Sequence, residues 1–256
     1  MKRLTYYYKT ENYYDDPVVC HQFLLRCLPR MCASQNVLSA SVLLLPDVGY
    51  TQQRDAFSNL LQIGHINEEH QYFSYTAIGE VEVDFSLKDT SPLHPMYRYP
   101  TVLTRMNASM RQFATPFADL PKTLDTVLQI AAAVNHQIEY TPESTDVHTG
   151  ADDAFYAGRG VCQDYAHVLI ALLRSLDIPA RYACGLSVGE GVTHAWVQAY
   201  LDGGWVSVDP TRNTLTTEQY VTFAIGRDAA DCPIDRGVYL GVSKHRQTVY
   251  MRLMEQ

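Results

Sequence analysis

The stretch GRGVCQDYAHVLIALLRSLDIPARYACG, residues 158–185, decides how this chain is read. Gly158 and Gly160 permit a tight backbone path that delivers the chain to Cys162. A helix begins there: Ala166, Leu169, Ile170, Leu173 and Leu176 recur three and four apart, and Ile178-Pro179 ends it. RYACGLSV then has strand character, as do HAWVQAYL and WVSVDP further on. Upstream, Leu124, Val127, Leu128, Ala131, Val134 and Ile138 mark an earlier helix behind Pro121. Two helices followed by consecutive strands give an α+β domain.

Cys162 stands where chemistry is possible. Unpaired amides and the helix dipole favour negative charge at a helix start, and the thiolate is the nucleophilic form of cysteine. Packing alone would also explain a small residue there. Two more residues bear on the choice. In His194-Ala195-Trp196-Val197-Gln198-Ala199-Tyr200-Leu201 the small and apolar residues alternate with larger polar and aromatic ones. His194 therefore lies on the non-core face of its strand, although a surface histidine would look the same. Asp209 ends WVSVDP, which follows the hairpin signal Asp202-Gly203-Gly204. A two-residue turn at Asp202-Gly203 pairs Leu201 with Gly204. Asp209 then falls diagonally from His194 on one face, ~7–8 Å away between backbones. A three-residue turn would send Asp209 to the opposite face. Cys, His and Asp so placed suit thiol-dependent acyl transfer: the imidazole moves the thiol proton and the carboxylate orients the ring. On this reading Asp209→Ala leaves the fold intact and disables the imidazole.

The first 105 residues have a different character. Tyr6, Tyr7, Tyr8, Tyr13 and Tyr14 are strand formers, QNVLSASVLLL at 35–45 reads as a strand, and Glu80 to Phe85 alternates strictly. Short strands separated by turns suggest a β-sandwich domain over 1–105, its tyrosines used for packing, and an α+β domain over 106–256. The whole chain has 256 residues, 46% of them hydrophobic, which excludes a disordered or collagen-like protein. Its net charge is −8. After Arg105 there are 11 basic and 17 acidic residues, a balance of −6, so no basic face for nucleic acid is expected. MKRLTYYYKTENYYDDP lacks the apolar stretch of a signal peptide, and no apolar run approaches the ~20 residues of a membrane helix. The protein is expected to be soluble and cytoplasmic, with its six cysteines as free thiols. No Cys-x-x-Cys spacing suggests zinc. Cys20, Cys27 and Cys184 are expected to be buried, and Cys32 and Cys232 exposed.

Residues 158–185, THAWVQAYLDGGWVSVDPTRN (193–213) and GRDAADCPIDRG (226–237) together resemble the transglutaminase-like superfamily. They are most similar to its bacterial cysteine-protease-like branch, whose members carry an N-terminal β-domain. The resemblance implies a papain-like core, with helices packed on an antiparallel sheet. It also implies Cys162 as nucleophile, His194 as base and Asp209 as orienting acid. The expected activity is that of a cysteine protease or amidase on peptide or carboxamide bonds, with acyl transfer to an amine or a non-catalytic binding module as alternatives. No counterpart of the calcium-binding additions of animal transglutaminases is visible, so neither metal nor cofactor is expected. The helix-start amide of Cys162 is an oxyanion donor candidate, and Gln163 a second. Trp196, beside His194, either shields the site from water or packs between the domains. Arg227, Asp228 and Asp231 are expected to form structural ion pairs.

Overall fold

The computed structural model describes residues 1–189, 191 and 193–256. Its N-terminal unit is organised by one strand, β1 (Lys2–Leu25), whose inward positions Leu4, Tyr6, Tyr8, Thr10, Asn12 and Tyr14 are all buried. It is joined by β2 (Gln35–Leu45), β3 (Tyr50–Arg54), β4 (Leu60–Ile66) and β5 (His70–Val83) in the order β2-β5-β1-β4-β3. The first half of β1 pairs with β5 and its last residues pair with β4. Between the two ladders the register shifts from Tyr13 to Val18, and Cys20 takes a left-handed φ of 51°. Irregularities of this kind bend a strand and sharpen its twist. One sheet thereby curls over its own apolar face. The bend also carries Cys20 to the surface, contrary to the burial expected from its apolar neighbours.

The second unit contains α1 (Ala108–Ala114), α2 (Leu124–Gln137), β6 (Glu139–Tyr140), α3 (Ala151–Ala157), β7 (Arg159–Gly160) and α4 (Cys162–Ser175). A sheet follows, built from β8 (Ala180–Ser187), β9 (His194–Leu201), β10 (Gly204–Asp209), β11 (Thr214–Leu215) and β12 (Tyr220–Gly226), in the order β11-β10-β9-β8-β12. α4 is buried on every side from Asp164 to Arg174, because α1, α2 and α3 surround it and β8 and β9 close the remaining face. The amphipathic stripe expected from its periodicity is therefore only part of its buried surface. No helix among the described residues is long and apolar enough to cross a membrane.

The chain then turns back. β13 (Asp235–Leu240) and β14 (His245–Glu255) both pair antiparallel with β1. Residues 235–255 therefore belong to the N-terminal sheet, and 106–256 is not one continuous domain. Long-range pairing with free edges of β1 decides this, and no local pattern announces it.

The units also share a core. Phe223 sits where the β12–β8 register shifts, and it packs with Leu186 and Val221 among Tyr6, Tyr8 and other N-terminal core residues. Along the outer edge of β12, the buried amides of Gln35 and Asn59 act as substitutes for a neighbouring strand. Gln35 donates to Thr222 O at 2.8 Å and accepts from Thr222 N at 2.8 Å. Asn59 does the same at Ile225, at 2.8 and 2.9 Å. Side-chain amides carry the donor and acceptor of a peptide group, so they satisfy an edge that would otherwise be buried unpaired.

Candidate active site

Cys162 is delivered by three local features. Gly158 adopts a left-handed φ of 65° and ends α3, as glycine commonly does at that position. Gly160 lies against Asp164, where an added Cβ would come within 2.7 Å of the Asp164 Cβ. Val161 is the N-cap of α4 and has no side-chain acceptor, while Asp164 reaches back to accept from Val161 N at 2.8 Å. Thr145 Oγ1 donates to the same carboxylate oxygen at 2.6 Å. The helix start is thus held by Asp164, and no cap side chain occupies the first amides, which lack intrahelical acceptors. Cys162 is half-buried at this point.

The hairpin delivers the other two residues. Asp202 and Gly203 both have positive φ, 48° and 77°, as a two-residue type I′ turn requires. Leu201 pairs with Gly204, and the ladder runs on to Val197 opposite Val208. In this register His194 Nε2 donates to Asp209 Oδ2 at 2.7 Å. The opposite-face alternative is excluded. Asp209 is fully buried, and its Oδ1 accepts from the backbone amides of Thr211 and Arg212 at 2.9 and 3.2 Å. With Nε2 engaged, Nδ1 is the ring nitrogen left for the Cys162 thiol, which interacts with the same imidazole.

The electrostatics follow from these contacts. Burial disfavours a charged His194, yet hydrogen bonds and charge from Asp209 and Cys162 outweigh it and raise the imidazole to about 9. Burial likewise opposes the Asp209 anion, but donation from His194 and Tyr220 holds its carboxyl below the usual range. The pair is an imidazolium and a carboxylate near neutral pH. A half-buried thiol beside it can exchange a proton with Nδ1. Among the described residues, no group of three or more His, Cys, Asp and Glu side chains could hold a metal ion.

Two family models match the sequence, and one of them spans this geometry. That of the transglutaminase-like superfamily covers residues 111–210, and that of the bacterial transglutaminase-like N-terminal region covers residues 4–82. The chain belongs to the transglutaminase-like superfamily. Its similarity to the uncharacterized protein ML0607 of Mycobacterium leprae is 28% identity over 94% of each chain. With the uncharacterized protein Rv2569c of Mycobacterium tuberculosis it shares 24% identity over 90% of this chain and 85% of that one. The solved structure of a "putative cysteine protease" from Cytophaga hutchinsonii superposes with a TM-score of 0.81 at 22% identity, covering 99% of this chain and 90% of that one. That likeness establishes the shared fold, a transglutaminase-like core with its N-terminal β-unit.

Other expected site residues of this transglutaminase-like chain are placed differently. His194 is buried: Asp209, Trp196 and Tyr220 lie against its ring, and Phe57 and Phe85 of the N-terminal unit pack over Trp196 on the same face. Trp196 on that face has no exposure and packs with Tyr220, Ile225, Phe57 and Phe85. It is the packed aromatic between the units, and a substrate cannot reach it. The Gln163 side chain donates to Asp146 O at 3.3 Å, and so is turned toward the loop before α3. Arg227 and Asp231 form a two-pronged ion pair at 2.8 and 2.9 Å, while Asp228 caps the short helical turn that follows it. Cys232 is buried, against expectation, because its turn folds under β8; burial and the neighbouring Cys184 thiol push its own thiol well up.

Sequence reasoning missed Tyr220, Arg212 and Asn135. Tyr220 OH donates to Asp209 Oδ2 at 2.7 Å. Arg212 Nη1 donates to Tyr220 OH at 3.2 Å, and Asn135 on α2 donates to Pro210 O and Thr211 O, both at 2.9 Å. Asn135 and Tyr220 lie 74 and 11 residues from Asp209, too far along the chain for a spacing rule to find.

Proposed function

We propose that this chain is a thiol-dependent hydrolase that cleaves peptide or carboxamide bonds through a Cys162 thioester. The resting His194 imidazolium holds on Nδ1 the proton taken from Cys162, and in the first half-reaction the thiolate sulfur attacks the carbonyl carbon. The tetrahedral oxyanion lies near the free amides at the start of α4, a donor arrangement suited to that charge. Collapse breaks the carbon–nitrogen bond, and the imidazolium gives its proton to the departing amine. In the second, water attacks the thioester as His194 takes its proton, releasing a carboxylic acid and restoring the thiol. Asp209 orients the ring throughout and keeps Nε2 as the protonated nitrogen.

The 2.7 Å His194–Asp209 bond beside a helix-start thiol is the observation that supports this reading most strongly. The decisive experiment is cleavage of a peptide and isopeptide library by wild type and Cys162→Ala. Products that vanish in the variant support hydrolysis through the thiol. Identical profiles would remove it. A labelled amine included in the same reaction tests the destination of the acyl group. Amine incorporation comparable to hydrolysis would replace the hydrolase assignment with transferase.

A further inference from the structure

Tyr220 occupies a place that the hydrolysis scheme leaves unassigned. It begins β12, on the opposite edge of the sheet from β10, yet its hydroxyl reaches the buried end of Asp209. The direction of each proton in this cluster is determined. A guanidinium can only donate, so Arg212 Nη1 donates to the phenol oxygen at 3.2 Å. The phenol proton is then directed to Asp209 Oδ2, which also accepts from His194 Nε2, each at 2.7 Å. Burial first, and then the Asp209 charge, push the phenol up, so Tyr220 remains a neutral donor across the working range. Its ring is fixed independently of the hydroxyl, edge-on to Trp196 at 5.3 Å and with the Arg212 guanidinium over its face at 5.5 Å.

Two donors on one carboxylate oxygen compete, because each draws on the same negative charge. We propose that Tyr220 is a positioning residue for the His194–Asp209 pair: its hydroxyl shares Oδ2 with the imidazole and so sets how strongly that ring holds its proton. The inference rests on the thiol–imidazole reading above. Its consequence is chemical. An imidazole that must take a proton from a thiol and return it to an amine works best when its basicity is tempered. Without the phenol proton, Oδ2 serves His194 alone, and the imidazolium is held more tightly and releases its proton less readily. Among the described residues, the charged and titratable groups facing His194 are Cys162 from α4, Asp209 from the end of β10, and Tyr220 from β12. Arg212 stands behind the last two, with Nε 4.0 Å from Asp209 Oδ2.

The test is the titration of the His194 ring followed by NMR in full-length Cys162→Ala protein, with and without Tyr220→Phe. The phenylalanine keeps the ring packing and deletes only the hydroxyl. The expected result is a His194 pKa raised by roughly 0.5–1 unit, a fraction of the ~1–2 units that one hydrogen bond to a charged group is worth. Replacement of Tyr220 by 3-fluorotyrosine, a stronger donor of the same shape, is expected to lower it. A merely structural role predicts either no movement or a fall toward the free value as the site loosens, and either result in Tyr220→Phe overturns the proposal. Should that variant not fold, an unchanged or raised value with 3-fluorotyrosine overturns it equally. In otherwise wild-type protein, iodoacetamide labelling of Cys162 that is indifferent to His194→Ala overturns both the hydrolase reading and this one. His194-dependent labelling with an unmoved titration overturns the role of Tyr220 alone.

Discussion

Asp209→Asn should invert the tautomer of His194. The two oxygens of Asp209 have different duties: Oδ1 accepts two backbone amides, from Thr211 and Arg212, and Oδ2 accepts from His194 and Tyr220. An asparagine must keep its carbonyl oxygen toward the two amides, since an NH2 group there would face two donors. The NH2 group then points at His194 Nε2, which must become an acceptor, and the ring proton moves to Nδ1, facing Cys162. A protonated Nδ1 cannot take the thiol proton. The same exchange in a serine triad costs on the order of 10⁴ in turnover. Alkylation of the thiol gives a substrate-free measure. A thiol without assistance, with a pKa of ~8.5, is ionised to only about 0.3% at pH 6, so losing the imidazole could slow iodoacetamide by up to about 300-fold. A more basic thiolate is also a better nucleophile, which reduces the expected loss to roughly 10- to 100-fold. The assay is the second-order labelling rate of Cys162 at pH 6 by peptide mapping, with near-ultraviolet circular dichroism to establish folding. A rate within twofold of wild type would refute the assigned proton positions. Alanine is the wrong variant here, despite what the strand pattern suggests. It would orphan four donors around a fully buried position, at about 1–3 kcal/mol for each left unsatisfied.

Three further outcomes are expected. Because the folded value of His194 is about 9 against 6.5 unfolded, its contribution is complete below about pH 6.5 and is lost as pH rises through 9. It amounts to about 3 kcal/mol at most. Urea midpoints should fall between pH 7 and 10, and the fall should be smaller in His194→Ala; equal falls would count against the ion pair. Limited iodoacetamide at mildly acidic pH should modify Cys162 before exposed Cys20 and half-buried Cys32, leaving buried Cys27, Cys184 and Cys232 untouched. Faster labelling of Cys20 would remove the argument for an activated thiol. Phe223→Ala, at a fully buried position that joins both units, should cost about 3–5 kcal/mol in one cooperative urea transition. Two separate transitions, with the second unit unaffected, would contradict the shared core.

The short-range features of this protein were legible in its residues. β2 spans Gln35–Leu45, the stretch read as a strand, α4 begins at Cys162, and Asp202-Gly203 forms the turn that brings Asp209 beneath His194. Each depends on a propensity or period acting over a few residues, where the chain has few alternatives. Tertiary structure decided the rest. Which face of β9 meets solvent depended on whether another unit covers it, and Phe57 and Phe85 close over Trp196 from far along the chain. The placement of 235–255 depended on the free edges of β1, to which β13 and β14 pair. Tyr220 reaches Asp209 because β12 joins the sheet beside β8, a topological outcome that spacing does not encode. Strand alternation distinguishes two faces of a sheet, but what comes to lie against each face is settled only when distant segments compete to bury the same apolar surface.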